Sequence, residues 1–181
     1  MTLPTGSVLT TRTASAEVAC SGRLTSFGGT TASGEITLGD VERDVTVKTA
    51  SGDLAAGMVG GAVRVAGASG DVAVEGAGGG VDVDLASGDV HVGDAGGSVR
   101  VHTKSGDVRI GRVSAGRVKL DSASGDLCIG VAAGVGARLD VTSVPLQAAR
   151  CIRSSSGDSR RVPRLLCTEP PLGGCRWGPL P

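Results

Sequence analysis

The sequence predicts an all-β fold: a β-solenoid, or β-helix-like rod, of about seven coils of 18–19 residues with two main faces per coil. Three observations predict it. A Ser-Gly-Asp turn recurs in near-copies at fixed spacing, with Ser33 (followed by Gly34-Glu35), Ser51, Ser69, Ser87 and Ser105 at intervals of 18 residues and Ser124 after 19. Between turns lie two short runs in which apolar residues alternate with polar or small ones, the pattern of a strand with one buried face. The glycines, 31 in all, gather at the bends, as in Gly60-Gly61, Gly78-Gly79-Gly80 and Gly96-Gly97. Gly fits there because bends need positive φ or close backbone approach. A meander of antiparallel hairpins could alternate too, but one Ser-Gly-Asp turn per pair of strands suits a coil that returns to the same point each time.

In chain order, residues 2–14 are Thr-rich and predict an incomplete first strand. Residues 15–32 form a degenerate capping coil headed by Ser15, in which Arg23, Leu24 and Phe27 fall out of step and Phe27 plugs the end of the core. The regular body runs from Ser33 to Asp121. Its first inward column is Val18, Ile36, Leu54, Val72, Val90, Val108 and Leu127, and its second is Cys20, Leu38, Ala56, Val74, Val92, Ile110 and Ile129. The other strand supplies Val45, Val63, Val81, Val99 and Val118, then Val47, Val65, Val83, Val101 and Leu120. A fifth column at the bend reads Val41, Val59, Ala77, Ala95, Val113 and Ala132. The coil headed by Ser105 carries one extra residue, assigned to a bulge near Asp121-Ser122. Stacked at roughly 4.8 Å, the coils make a rod on the order of 35 Å long. No coil can bury its apolar face alone, so stability must come from stacking.

After Val144 the pattern breaks. Six of the seven prolines, three of the five cysteines and Trp177 lie in 145–181. The division expected is a repeat domain over 1–144 and an irregular or disordered tail over 145–181, read as the product of a shifted reading frame.

Charge narrows the function classes. The chain has 18 Lys and Arg against 18 Asp and Glu. Residues 1–144 are net acidic, which gives no electrostatic case for nucleic acid. With only Phe27 and Trp177 as aromatics, stacking platforms for single strands are absent as well. The opening Met1-Thr2-Leu3-Pro4-Thr5-Gly6 has neither the basic nor the apolar region of a signal peptide, and no run is long enough to span a membrane. The expectation is a cytoplasmic protein, with envelope association if the true start lies upstream.

Candidate chemistry is sparse. Asp53, Asp71, Asp89, Asp107 and Asp126 stack at one bend, with Glu35 in the same place. The bland reading is turn capping by hydrogen bonds to local backbone. The sharper one is a divalent-cation module like the calcium β-rolls, which also use an 18-residue coil. Their Gly-Gly-x-Gly-x-Asp string is missing; Gly78-Gly79-Gly80-Val81-Asp82 comes nearest, and its Asp82 falls in an outward strand column. Cys20 and Cys128 sit about six coils apart, beyond disulfide reach. Cys151, Cys167 and Cys175 lack metal-ligand spacing. His91 and His102 occupy outward positions without a third ligand. An ice-binding face needs a regular threonine array, and Gly67 and Leu85 interrupt the column of Thr31, Thr49 and Thr103. The acid cluster of a polysaccharide-cleaving β-helix is missing. No catalytic residue and no cofactor is expected.

The repeats Thr49-Ala50-Ser51-Gly52-Asp53, Ala68-Ser69-Gly70-Asp71-Val72 and Ser105-Gly106-Asp107-Val108-Arg109-Ile110-Gly111 resemble the bacterial adhesin-type β-strand-repeat family, a domain of unknown function common in actinobacteria. The openings Leu3-Pro4-Thr5-Gly6-Ser7 and Thr13-Ala14-Ser15-Ala16-Glu17-Val18 resemble the way its members enter the first coil. The resemblance covers roughly 3–144. It implies an actinobacterial source and an adhesive or envelope-linked role, with no activity assigned to particular residues. The function expected is therefore a non-enzymatic scaffold or interaction protein whose partner is a protein or an envelope component, able to self-associate through its coil ends. The alternative is the cation-binding module on the Asp column.

Overall fold

The computed structural model describes residues 7–132, 138–143 and 151–154, with Ser143 and 151–154 described by their backbone. Sixteen strands follow one another without a helix among the described residues. The chain opens with β1 (Ser7–Ser15), β2 (Val18–Cys20), β3 (Leu24–Ser33) and β4 (Ile36–Leu38). The regular body is β5 (Val45–Ser51), β6 (Leu54–Val59), β7 (Val63–Ser69), β8 (Val72–Ala77), β9 (Val81–Ser87), β10 (Val90–Ala95), β11 (Val99–Ser105) and β12 (Val108–Val113). It closes with β13 (Arg117–Ser124), β14 (Leu127–Val131), β15 (Arg138–Ser143) and β16 (Cys151–Ser154). Odd-numbered strands form one eight-stranded parallel sheet and even-numbered strands the other, each in chain order. This is a β-solenoid of about seven turns, as the repeat predicts.

The register shows why. Val45 pairs with Val63, Val63 with Val81, Val81 with Val99 and Val99 with Val118, so each inward column is a line of like residues one strand spacing apart. Val45, Val63, Val81, Val99 and Val118 are each at most 1% exposed. β-Branched side chains have few rotamers to lose on a pleated surface, which is why valine fills these lines. The even strands begin by alternating and then place two outward residues in a row, as Gly57 and Met58 do before buried Val59. That double step turns the chain, which gives the fifth column its corner.

Several expectations are corrected. Phe27 is in step, not out of it: it pairs with Val45, is 2% exposed, and continues outward to half-buried Leu9. A Cβ at Gly29, one inward position along, would stand 2.7 Å from the Phe27 ring, so the large residue fills what the small one vacates. Leu24 also belongs to the series, bridging Val41 in the corner column. At the other end Val131, not Ala132, pairs with Val113. The extra residue of the Ser105 coil lies at the bend between Val113 and Arg117, where Gly116 has φ +95°, because Asp121 and Ser122 pair in register with His102 and Thr103.

The threonine column turns inward. Thr31, Thr49, Leu85, Thr103 and Ser122 are all buried, making a sixth line of interior positions. The hydroxyls of Thr31, Thr103 and Ser122 donate to the carbonyls of Ser33, Ser105 and Ser124 at 3.3, 3.0 and 3.1 Å, a short-range bond that makes a polar residue tolerable inside. Gly67 and Leu85 complement each other: a Cβ on Gly67 would lie 3.1 Å from Leu85 Cδ2.

Strand pairing continues past 144. Ile152 of β16 pairs with Ile129 of β14, so the sheet of even strands reaches Ser154. Apart from 151–154, the expected tail of 145–181, and with it the shifted-frame reading, lies outside the described residues.

Candidate functional site

The Ser-Gly-Asp bend is built by the coil above and the coil below together. Gly70 and Gly88 sit at φ +127° and +129°, a region that L side chains rarely adopt. Asp71 follows, and its carbonyl accepts from Leu54 N–H of the preceding coil at 2.8 Å. Its own N–H finds no carbonyl there. It donates to Asp53 Oδ1 at 2.9 Å, and the same bond joins Asp89 N–H to Asp71, Asp107 N–H to Asp89 and Asp126 N–H to Asp107 at 2.8–2.9 Å. The carboxylate thus supplies the acceptor that the backbone ladder lacks at the bend. The partner lies one coil away, where the sequence alone pointed to local backbone. Asp44 does the same at the opposite bend, accepting from Ala62 N–H at 2.8 Å.

The five aspartates are therefore brought into one line, and Asp53, Asp71, Asp89 and Asp107 each commit one oxygen to the next coil. Arg109 pairs with Asp107 at 3.3 Å. No three His, Cys, Asp or Glu side chains among the described residues cluster closely enough to hold a metal ion. His91 and His102 are exposed on β10 and β11, on different sheets. Cys20 lies in an inward line and Cys128 in an outward one, with Cys151 opposite Cys128 in register.

The feature that separate repeats could not reveal is on the outer face of the odd-stranded sheet. One outward line there reads Thr46, Arg64, Asp82, Arg100, Lys119, Asp140 across six consecutive strands. With Arg117 at the neighbouring bend it borders a groove of 810 Å³ running across the coils. Lys119 pairs with Asp121 at 3.1 Å, while Arg64, Arg100 and Arg117 are exposed and form no ion pair within 4.0 Å among the described residues. Alternation alone shows only that these residues face outward. Their meaning depends on the stacking register, which places Arg100 directly opposite Lys119.

No described helix is long and apolar enough to cross a membrane. No curated protein and no solved structure matches the chain. One family model does match, that of Toastrack DUF4097, over residues 1–158, and neither an adhesin label nor an actinobacterial source comes with it. On a match that spans most of its length, the chain belongs to the uncharacterised Toastrack DUF4097 family.

Proposed function

We propose that this protein is a non-enzymatic scaffold that presents a fixed binding face on a rigid β-solenoid. The observation that supports this most is the contrast between the two sides of each strand. Inward lines hold to uncharged, mostly aliphatic residues, whereas the outward line Arg64, Asp82, Arg100, Lys119, Asp140 changes charge from coil to coil. Parallel ladders hold such side chains at fixed spacing, so a ligand meets a surface already ordered. An adhesive, envelope-facing role would work through this face.

The test is electron microscopy and light scattering of the full chain at two concentrations. Separate short rods at both are expected. Filaments that lengthen with concentration would replace face display by end-to-end assembly through the outer edges of the terminal coils. The competing cation reading, on Asp53, Asp71, Asp89, Asp107 and Asp126, requires the melting midpoint to rise with calcium.

A further inference from the structure

We propose that the groove on the odd-stranded sheet binds a linear carboxylated polysaccharide, with Arg64, Arg100, Arg117 and Lys119 as its cationic contacts. This rests on the scaffold reading and names the ligand class of that face.

Three features carry it. The first is unanswered charge. Asp82 stands in register between Arg64 and Arg100, yet neither guanidinium closes an ion pair with it. Arg100 is directly opposite Lys119, and Arg117 adds a third cation at the bend. Lys119 is answered by Asp121 at 3.1 Å, so the charge left for an anion is that of Arg64, Arg100 and Arg117, with Lys119 beside them.

The second is shape. The groove of 810 Å³ extends over the strands bearing Arg64, Asp82, Arg100, Lys119 and Asp140. Four strand spacings of about 4.8 Å make a track of roughly 19 Å, which suits a chain molecule rather than a single anion. Its borders at Ala62, Gly80 and Ser98 carry only small side chains, which leaves the charged line unobstructed on that side.

The third is the interleaving of acids. A guanidinium takes a carboxylate through two parallel hydrogen bonds. Asp82 and Asp140 accept hydrogen bonds and repel anions, so the complementary ligand alternates carboxylates with hydroxyl donors. A uronate chain does so. A polyphosphate or nucleic acid would bring a charge against each aspartate, and among the described residues the one aromatic, Phe27, is buried in the core and offers no face for base stacking.

The experiment is calorimetric titration of the full chain with polygalacturonate at low and high salt. Dextran, polyphosphate and poly-glutamate are run beside it as neutral, phosphate and peptide probes. Polygalacturonate is expected to bind best, with affinity falling as salt rises. The double variant Arg100→Ala with Arg117→Ala should weaken it roughly tenfold, two exposed charge contacts being lost. Arg109→Ala, on the other sheet and paired with Asp107, should leave it unchanged. Circular dichroism confirms each variant's fold, and the single Arg100→Gln, which keeps the side-chain stem, stands in if the double variant does not fold. Failure of polygalacturonate to bind the intact rod would overturn the proposal. So would equal binding of polyphosphate, poly-glutamate or dextran, or an arginine variant that binds like the parent. New reducing ends in the bound glycan would overturn the non-enzymatic reading while leaving the ligand class standing.

Discussion

Replacing Gly88 by alanine tests the stacking of the Ser-Gly-Asp bend most directly. Gly88 has φ +129°, so any L residue there is strained, at about 1–3 kcal/mol. The added Cβ would also collide with the carbonyl oxygen of Gly70 one coil away and stand 2.8 Å from its carbonyl carbon. That obstacle is backbone. Gly70 is held in its coil by the neighbouring bonds of Asp71 to Asp53 Oδ1 and of Leu54 N–H to the Asp71 carbonyl, so it cannot swing aside as a side chain could. Forcing a methyl group into such contact costs about another 1–3 kcal/mol. The sum, roughly 2–6 kcal/mol, is a large part of the 5–15 kcal/mol that holds a typical domain folded. The assay is urea unfolding followed by far-ultraviolet circular dichroism, with Gly28→Ala as control. Gly28 lies within β3 with ordinary φ, and the nearest atom to a Cβ there is Thr10 Oγ1 at 3.7 Å, so alanine should stabilise by about 0.4–1 kcal/mol. If Gly88→Ala lies within ~0.5 kcal/mol of the parent, the argument from stacked backbones is wrong.

Three other substitutions probe the interior and the bend. Thr49 Oγ1 is buried without a hydrogen-bond partner, so Thr49→Val should raise the unfolding midpoint, by up to ~1–3 kcal/mol in stability; a clear fall would mean the hydroxyl is satisfied. Leu85 fills the space over Gly67, and Leu85→Ala should lose about 2–5 kcal/mol in the same urea assay, a smaller loss meaning that the coils collapse onto the gap. Asp71→Ala removes the acceptor of Asp89 N–H and should cost about 0.5–1.5 kcal/mol, whereas Asp71→Asn, which keeps an oxygen there, should cost less. Calcium and chelator should leave the parent's melting curve unchanged, and a rise with calcium that Asp71→Asn abolishes would instead support a cation site.

The sequence by itself determined the architecture. An 18-residue period with alternating valines admits few arrangements in which every apolar line is buried, and a coiled parallel stack satisfies all of them at once. Five inward lines were legible because they repeat the same residue class. What escaped was whatever depends on a neighbour 18 residues away rather than on the residue itself. Thr31, Thr49 and Thr103 look like solvent positions until Leu85 in the same line, and the bonds of Thr31 and Thr103 to serine carbonyls, place them inside. Phe27 looks irregular until Gly29 is seen to make room for its ring. The aspartates read as local caps, whereas the structure spends them on the coil above. The same holds for the groove. Arg100 and Lys119 are 19 residues apart in the chain, and because the bend at Gly116 absorbs the extra residue the strands stay in register and set the two cations side by side. Periodicity reports which face a residue belongs to, but contacts between coils, which decide packing and charge, exist only once the stack has formed.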